Sequence, residues 1–336
     1  MNYRIFGNTD IKVSEIGLGC SNVGKTFFNM EKDSSLRLLN RAYELGINFF
    51  DTADVYRFGN SEKIIGEAFK NKRTEVIIAT KVGYNQPPFI ARPAKLLMPI
   101  SIQKQLQKIL KYYRKKHKPS FFSRDFSPEF INKAINQSLK RLNTDYIDLY
   151  QLHNPPPEVI EHGEVFNTLD NLKKEGKIRF YGVSAGTVSD ALLCLKNSNV
   201  SSLQIVFNII MQEAKKELFS LAEQKGVAII ARVPFARGLI TSKMNIETSA
   251  QPIDKSLLNR YRTKVEEFSF LINKNRSITQ AALQFILSHP QVSVVIPGTR
   301  KITNLEENIK ALESPNLTDE ELGKISSVSE EMTAQI

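Results

Sequence analysis

Four side chains in the first half of the chain carry chemistry that fits together: the carboxylate of Asp51, the phenol of Tyr56, the ammonium of Lys81 and the imidazole of His153. Reduction of a carbonyl by a hydride needs a proton donor at the developing alkoxide, and a tyrosine serves if a nearby cation draws its pKa down from about 10. Lys81 is the candidate cation. A desolvated ammonium tends to lose its proton, so it needs a counter-charge, which Asp51 is placed to supply. A neutral His153 can then donate a hydrogen bond to the substrate carbonyl and fix its orientation beside the phenol. Any one of these residues alone would serve equally well as a helix cap or a structural ion pair. What singles them out is that they fall together at the ends of consecutive strands.

Short apolar, β-branched runs alternate along the chain with segments of helical period, which is the pattern of βα units and a parallel sheet. Eight strands read at 16–19, 48–50, 76–80, 147–152, 180–183, 203–207, 228–231 and 293–296, with amphipathic stretches such as 61–70 and 128–142 between them. Eight such strands predict an α/β fold, a (β/α)8 TIM barrel, as a single domain over residues 1–336 with no interdomain linker. Asp51 follows the second strand, Tyr56 lies in the loop beyond it, and Lys81 and His153 follow the third and fourth. All four therefore face the C-terminal mouth, where barrel active sites lie. Before the first strand, residues 3–6 and 11–13 flank the turn Gly7-Asn8-Thr9-Asp10, which predicts an N-terminal β-hairpin plugging one end. Ser127-Pro128-Glu129 and Thr318-Asp319-Glu320-Glu321 mark helix starts, the second as a capping box. Two segments break the alternation, 85–124 after the third strand and 243–275 after the seventh, and both belong at the mouth.

The formal charge of +11 is concentrated in one place. Residues 85–124 hold Arg92, Lys95, Lys104, Lys108, Lys111, Arg114, Lys115, Lys116, Lys118 and Arg124 and no acid, leaving about +1 for the rest. Within this basic insertion Ile102, Leu106, Ile109, Leu110 and Tyr113 recur at helical spacing, with Lys104, Lys108, Lys111 and Lys115 on other faces. The plain reading is a lid whose apolar stripe packs on the barrel. Attraction of an anionic substrate is a sharper one, and contact of 95–118 with a membrane surface or an acidic partner is not favoured. Nucleic acid is not expected, because no recognition module accompanies the charge. Cys20 and Cys194 stand alone and read as buried small hydrophobes, and the four histidines have no ligand spacing, so no metal site is expected. No run of about 18 apolar residues and no apolar leader occurs, so the expected location is cytoplasmic.

The run Gly46-Ile47-Asn48-Phe49-Phe50-Asp51-Thr52-Ala53-Asp54-Val55-Tyr56, with Gly59-Asn60-Ser61-Glu62 next, resembles the signature of the aldo-keto reductase family. Ile78-Ala79-Thr80-Lys81-Val82-Gly83, Asp145-Tyr146-Ile147-Asp148-Leu149-Tyr150-Gln151-Leu152-His153 and Gly176-Lys177-Ile178-Arg179-Phe180-Tyr181-Gly182-Val183-Ser184 are similar to its further motifs, in order and at its spacing. The resemblance implies a catalytic tetrad of Asp51, Tyr56, Lys81 and His153, and NADPH lying extended across the mouth. It implies that Ser184 and Gln204 hold the nicotinamide carboxamide, with Arg232 and Pro234 beside the ring. It also implies that Gly298, Thr299 and Arg300, with Asn304, Glu307 and Asn308, hold the adenosine end. A phosphate at a helix N-terminus beside cations is physically well placed.

Three positions depart from the family pattern. Ala185 stands where an Asn often follows the serine, Arg232 stands where an aromatic residue commonly stacks on the ring, and Asn304 stands where many members have a base for the 2′-phosphate. Arg232 can cover the ring with its planar guanidinium, and Arg300 can compensate at the phosphate, with NADH not excluded. The expected function is therefore NADP-dependent reduction of a small-molecule aldehyde or ketone to an alcohol, or the reverse. Two alternatives stand beside it: a cofactor-binding regulatory subunit of the same fold, and a barrel isomerase or lyase acting on a phosphorylated substrate.

Overall fold

Alternate residues of a strand face opposite ways, and here that parity sorts each barrel strand into a lumen face and a helix face. Phe49, Ala79, Leu149, Ala228, Ile230, Val294 and Ile296 form one apolar cluster with Phe6, Ile11 and Val13 of the N-terminal segment. Their neighbours Phe50, Ile78, Tyr150, Ile229 and Val295 pack outward into a larger cluster shared with helix residues such as Leu38, Ile64, Ile135 and Leu169. The computed structural model describes residues 1–24, 32–85, 123–197, 199–241 and 265–334.

The strands are β1 (Tyr3–Ile5), β2 (Lys12–Ser14), β3 (Leu18–Gly19), β4 (Phe49–Asp51), β5 (Ile77–Val82), β6 (Ile147–His153), β7 (Ile178–Ser184), β8 (Ser202–Val206), β9 (Ala228–Arg232) and β10 (Val292–Val295). β3 to β10 pair in parallel in sequence order. The sheet closes on itself: Gly17 N–H donates to Val295 O at 2.8 Å, Val295 N–H to Glu15 O at 2.9 Å, and Gly19 N–H to Pro297 O at 3.0 Å. All eight expected barrel strands are found, with ends shifted by at most two residues. β3 starts two residues later than expected, because Ile16 makes an isolated bridge to Val295 rather than a ladder.

β1 and β2 pair antiparallel and form the expected hairpin. It is tied to the barrel floor by Asn8 N–H donating to Gly226 O at 2.7 Å. Arg4 reaches the end of the helix Ile278–Leu287 and the start of β10, donating to Leu287 O, His289 O and Val292 O at 2.8, 3.1 and 2.6 Å. A cation on the last carbonyls of a helix is favourable.

The helix starts read from sequence are also present. Ser127 Oγ accepts from Phe130 N–H at 3.3 Å ahead of the helix Pro128–Leu142. Thr318 and Glu321 exchange hydrogen bonds of 2.9 and 3.2 Å at the head of Asp319–Ala334. Both cysteines are buried and unpaired, and among the described residues no helix is long and apolar enough to cross a membrane.

Most of the basic 85–124 insertion, including the expected amphipathic helix and the 95–118 stretch, lies outside the described residues, as does 243–264 of the second irregular segment. The foot of the insertion is described. Tyr84 and Arg124 form an antiparallel bridge, Asn85 N–H donates to Ser123 O at 2.7 Å, and Asp125 N–H to Gly83 O at 2.9 Å. The segment therefore leaves and re-enters directly above β5, at the C-terminal mouth.

Candidate active site

The lumen parity that buries Phe49, Ala79, Leu149 and Ile230 carries one step further up each strand to Asp51, Lys81, Gln151 and Arg232, and in β6 two steps to His153. The top layer of the barrel interior is thus polar by register. Lys81, fully buried, donates to Asp51 Oδ1 and Oδ2 at 2.7 and 2.6 Å and to Thr52 O at 2.8 Å. Asp51 Oδ1 also accepts from Gln204 Nε2 at 2.7 Å and Gln151 Nε2 at 3.2 Å. Ser184 Oγ in turn donates to Gln204 Oε1 at 3.1 Å. The carboxylate is thereby fixed by residues from four strands.

Above this layer, Lys81 Nζ lies 5.2 Å from the centre of the Tyr56 ring. The Tyr56 and His153 rings meet edge to face, with centroids 6.0 Å apart. Tyr56, Lys81, Asp51 and His153 are therefore brought to one place, as the sequence predicts.

The backbone after three of the mouth residues shares one feature. Arg57 follows Tyr56 with φ 51°, Asn154 follows His153 with φ 51°, and Val233 follows Arg232 with φ 60°. Left-handed φ costs a residue with a side chain about 1–2 kcal/mol, and strain of this kind persists only where the surroundings enforce it. Each turn has an identifiable anchor. Arg57 donates to Ser21 O at 3.1 Å and Asn22 Oδ1 at 2.6 Å; Asn154 O accepts from Arg124 Nη1 at 2.8 Å; Val233 O accepts from Asn208 Nδ2 at 3.0 Å. Phe58 and Gly59 continue the left-handed turn after Tyr56 at φ 57° and 79°. Gly59 is required there twice over, because a Cβ would also sit 2.6 Å from Arg141 Cδ.

The electrostatics correct one expectation. Lys81 does not draw the phenol below its usual value: burial pushes Tyr56 upward from 10, Lys81 reverses this only in part, and Asp51 adds to the rise. Asp51 offsets part of the lysine charge at Tyr56, and burial outweighs the remainder. Burial pulls the Lys81 ammonium down, but Asp51, with Tyr56, more than compensates and leaves it above its ordinary value. Burial, Lys81 and Arg232 together hold His153 well below the usual histidine value, so the imidazole is neutral at pH 7.

Residues 15–330 match the profile described as the Aldo/keto reductase family. The chain belongs to the aldo-keto reductase family. It is 33% identical to an uncharacterized oxidoreductase, YqkF, of Bacillus subtilis (strain 168), over 97% of this chain and 96% of that protein. It is 28% identical to an NADH-specific methylglyoxal reductase of Escherichia coli (strain K12), over 93% and 94%. Among solved structures it resembles the holo form of the aldo-keto reductase AKR11C1 from Bacillus halodurans, with 30% identity, a TM-score of 0.77 and coverage of 98% and 96%.

The remaining candidate residues of this aldo-keto reductase fall in two groups. Ser184 at the end of β7 and Gln204 in the middle of β8 are buried side by side. Arg232 donates from Nη2 to Ala185 O at 3.0 Å, its Nε is buried without a hydrogen-bond partner among the described residues, and Pro234 is buried just beyond. The second group surrounds the helix Ile302–Ile309, whose N-terminus has no side-chain cap. Gly298 bridges to Gly19. Thr299 Oγ1 accepts from Lys301 N–H at 3.1 Å, while Arg300 and Asn304 are exposed. Asn308 is buried, and Glu307 accepts from Ser277 Oγ at 2.7 Å.

Sequence reasoning missed three contributors. Gln151 donates to Asp51, and only its lumen parity within β6 could have signalled that. Glu62, fully buried, accepts from Thr80 Oγ1 at 2.7 Å and pairs with Arg141 at 2.5 Å, locking the Tyr56 loop to β5 and to the helix Pro128–Leu142. Tyr84 stands beside His153 with ring centroids 4.7 Å apart.

Proposed function

We propose that this protein interconverts an aldehyde or ketone and an alcohol, with Tyr56 as general acid in the reducing direction, Lys81 and Asp51 tuning it, and His153 orienting the substrate oxygen. The observation that carries this reading is the buried chelate of Lys81 by both oxygens of Asp51 directly under Tyr56 and His153. A neutral imidazole and a protonated phenol are the two hydrogen-bond donors a carbonyl oxygen needs as negative charge develops on it. Lys81, which also donates to Asp51 and Thr52, acts on the phenol mainly through its charge and to a smaller extent through a hydrogen bond. As alkoxide character grows on the substrate and the proton leaves Tyr56, that fixed positive charge stabilises the phenolate left behind.

A nicotinamide dinucleotide fits the residues present and, when bound, supplies the hydride. Ser184 and Gln204 would hold the carboxamide, with Arg232 and Pro234 along the ring; Arg232 Nε is a buried donor without a hydrogen-bond partner among the described residues, which supports this reading. Gly298, Thr299 and Arg300, ahead of an uncapped helix N-terminus, with Asn304, Glu307 and Asn308, would take the adenosine end and its phosphates. We assign NADPH as the preferred form on Arg300 and the adjacent Lys301, with NADH accepted because Asn304 offers no charge. A Michaelis constant for NADH below that for NADPH would reverse the assignment.

The test of the whole reading is a screen of aldehydes, ketones and alcohols followed by nicotinamide absorbance, with Tyr56→Phe alongside. Removing the phenol is expected to lower turnover by about a hundredfold or more. Retained turnover in that variant would show that another group delivers the proton, and no turnover by the parent with any carbonyl would favour a cofactor-binding regulatory role.

A further inference from the structure

An imidazole that orients a substrate is ordinarily held in one tautomer by a hydrogen bond to its other ring nitrogen. His153 has no such bond among the described residues: its Nδ1 is buried without a partner. Its orientation must come from packing. Two rings stand perpendicular to it, Tyr56 at a centroid separation of 6.0 Å and Tyr84 at 4.7 Å, both with planes 87° apart. The closer contact is made by Tyr84, at a separation where edge-to-face pairs are favourable.

Tyr84 is itself fixed from several sides. Gly83, at φ 134°, lets the chain run flush against Phe126, where a Cβ would come within 2.3 Å of the ring. The Tyr84 hydroxyl accepts from Asn154 Nδ2 at 3.1 Å, and Tyr84 forms a backbone bridge with Arg124. Arg124 completes the circuit by donating to Asn154 O at 2.8 Å. Asn154 is the left-handed residue directly after His153, and its N–H donates to Ser184 O at 2.8 Å. Tyr84, Arg124 and Asn154 thus form a collar around the imidazole, built on the foot of the 85–124 insertion.

We propose that Tyr84 is a positioning residue, whose ring, packed perpendicular to the His153 imidazole, holds it in one orientation where Nδ1 has no hydrogen bond among the described residues. Through Arg124 and Asn154 it links that orientation to the base of the insertion. The catalytic consequence rests on the reading of His153 as the group that orients the substrate, whereas the orientation itself does not. The groups facing His153 are Lys81 from β5, Arg232 from β9, the phenols of Tyr56 and Tyr84, and Asp51 behind Lys81. Opening the Tyr84 side to water removes part of the burial that keeps the ring neutral, so its pKa rises toward the ordinary value.

The experiment is a long-range proton–nitrogen NMR spectrum of the full-length protein with labelled histidine and no substrate, the His153 signals being assigned by their loss in His153→Gln. The parent and Tyr84→Phe are expected to show one neutral tautomer at pH 7. Tyr84→Leu, which keeps bulk but loses the ring, is expected to show averaged nitrogen shifts and a His153 titration moved upward. Its turnover number is expected to fall about tenfold or more, with the cofactor Michaelis constant within about twofold. A Tyr84→Leu spectrum matching the parent, or averaged tautomers in the parent itself, overturns the proposal whatever the turnover. If the tautomer behaves as expected while the parent reduces no carbonyl, the positioning role holds and the functional reading fails.

Discussion

Gln204 donates from Nε2 to Oδ1 of Asp51 at 2.7 Å, across the lumen from β8 to β4. The same side chain accepts from Ser184 Oγ at 3.1 Å, so the two residues proposed to hold a carboxamide are already coupled to the carboxylate beneath Lys81. Replacing Gln204 by Leu removes one donor from a buried anion and leaves Ser184 without its acceptor. The expected loss is about 1–3 kcal/mol of stability, read by urea unfolding of the protein without cofactor. An unchanged midpoint would mean that this contact contributes nothing to the fold.

Lys81→Met strands the Asp51 carboxylate in a site that Gln151 and Gln204 can only partly satisfy. Breaking a buried ion pair by removing one partner costs about 3–5 kcal/mol. The double variant Lys81→Met with Asp51→Leu is expected to recover much of that loss while remaining inactive. Denaturant titration of the three proteins gives the comparison, and a double variant no more stable than the single one would contradict it.

The phenol of Tyr56 is held above its ordinary value of 10. In the protein without cofactor, Tyr56 should therefore not contribute to the ultraviolet titration near 295 nm in the normal tyrosine range. Put differently, Tyr56→Phe should leave the titration between pH 9 and about 10.5 unchanged. A lost transition in that range would mean that Lys81 dominates burial after all.

His153 is displaced below the ordinary histidine value of 6.5. An unfolded chain takes up a proton near that value while the folded one does not, so stability is fully present above it and declines as pH falls toward the folded pKa. The slope due to one such group is at most about 1.4 kcal/mol per pH unit. His153→Gln is expected to flatten the decline without abolishing it, because burial also depresses His289. Parallel slopes for parent and variant would count against the shift.

Arg57 sits at φ 51° and clamps the turn after Tyr56 onto Ser21 and Asn22. Arg57→Ala keeps the unfavourable backbone and loses the clamp; Arg57→Gly loses the clamp but removes the backbone cost. Glycine is therefore expected to be the more stable of the two by about 1 kcal/mol. Thermal unfolding of the pair decides, and alanine equal to glycine would indicate that the turn relaxes once the guanidinium is gone.

The barrel was legible in the sequence because burial on both faces of a parallel strand leaves a short apolar run, and eight such runs recur between helical segments. The candidate cluster was legible because Asp51, Lys81 and His153 interrupt or end those runs with polar, titratable side chains. Gln151 was not, since a neutral amide inside a strand gives no hint of which carboxylate it meets. The Glu62–Arg141 pair joins positions far apart in sequence, so local pattern cannot reveal it. The turns at Arg57, Asn154 and Val233 were hidden for another reason: left-handed backbone is usually announced by glycine, and tertiary contacts impose it here on other residues. The direction of the Tyr56 shift depends on burial outweighing the nearby Lys81 charge, a balance that residue order does not encode.

The hairpin that brings Phe6, Ile11 and Val13 under the barrel has a consequence for traffic. Among the described residues that floor is filled by packed side chains, so both partners of the proposed reaction would enter from the C-terminal mouth. Two occupants sharing one doorway have to queue: whichever lies deeper against the Ser184 and Gln204 wall arrives first and departs last. Steady-state kinetics of this barrel should accordingly follow a compulsory order, a property set by residues at the far end of the molecule from the chemistry.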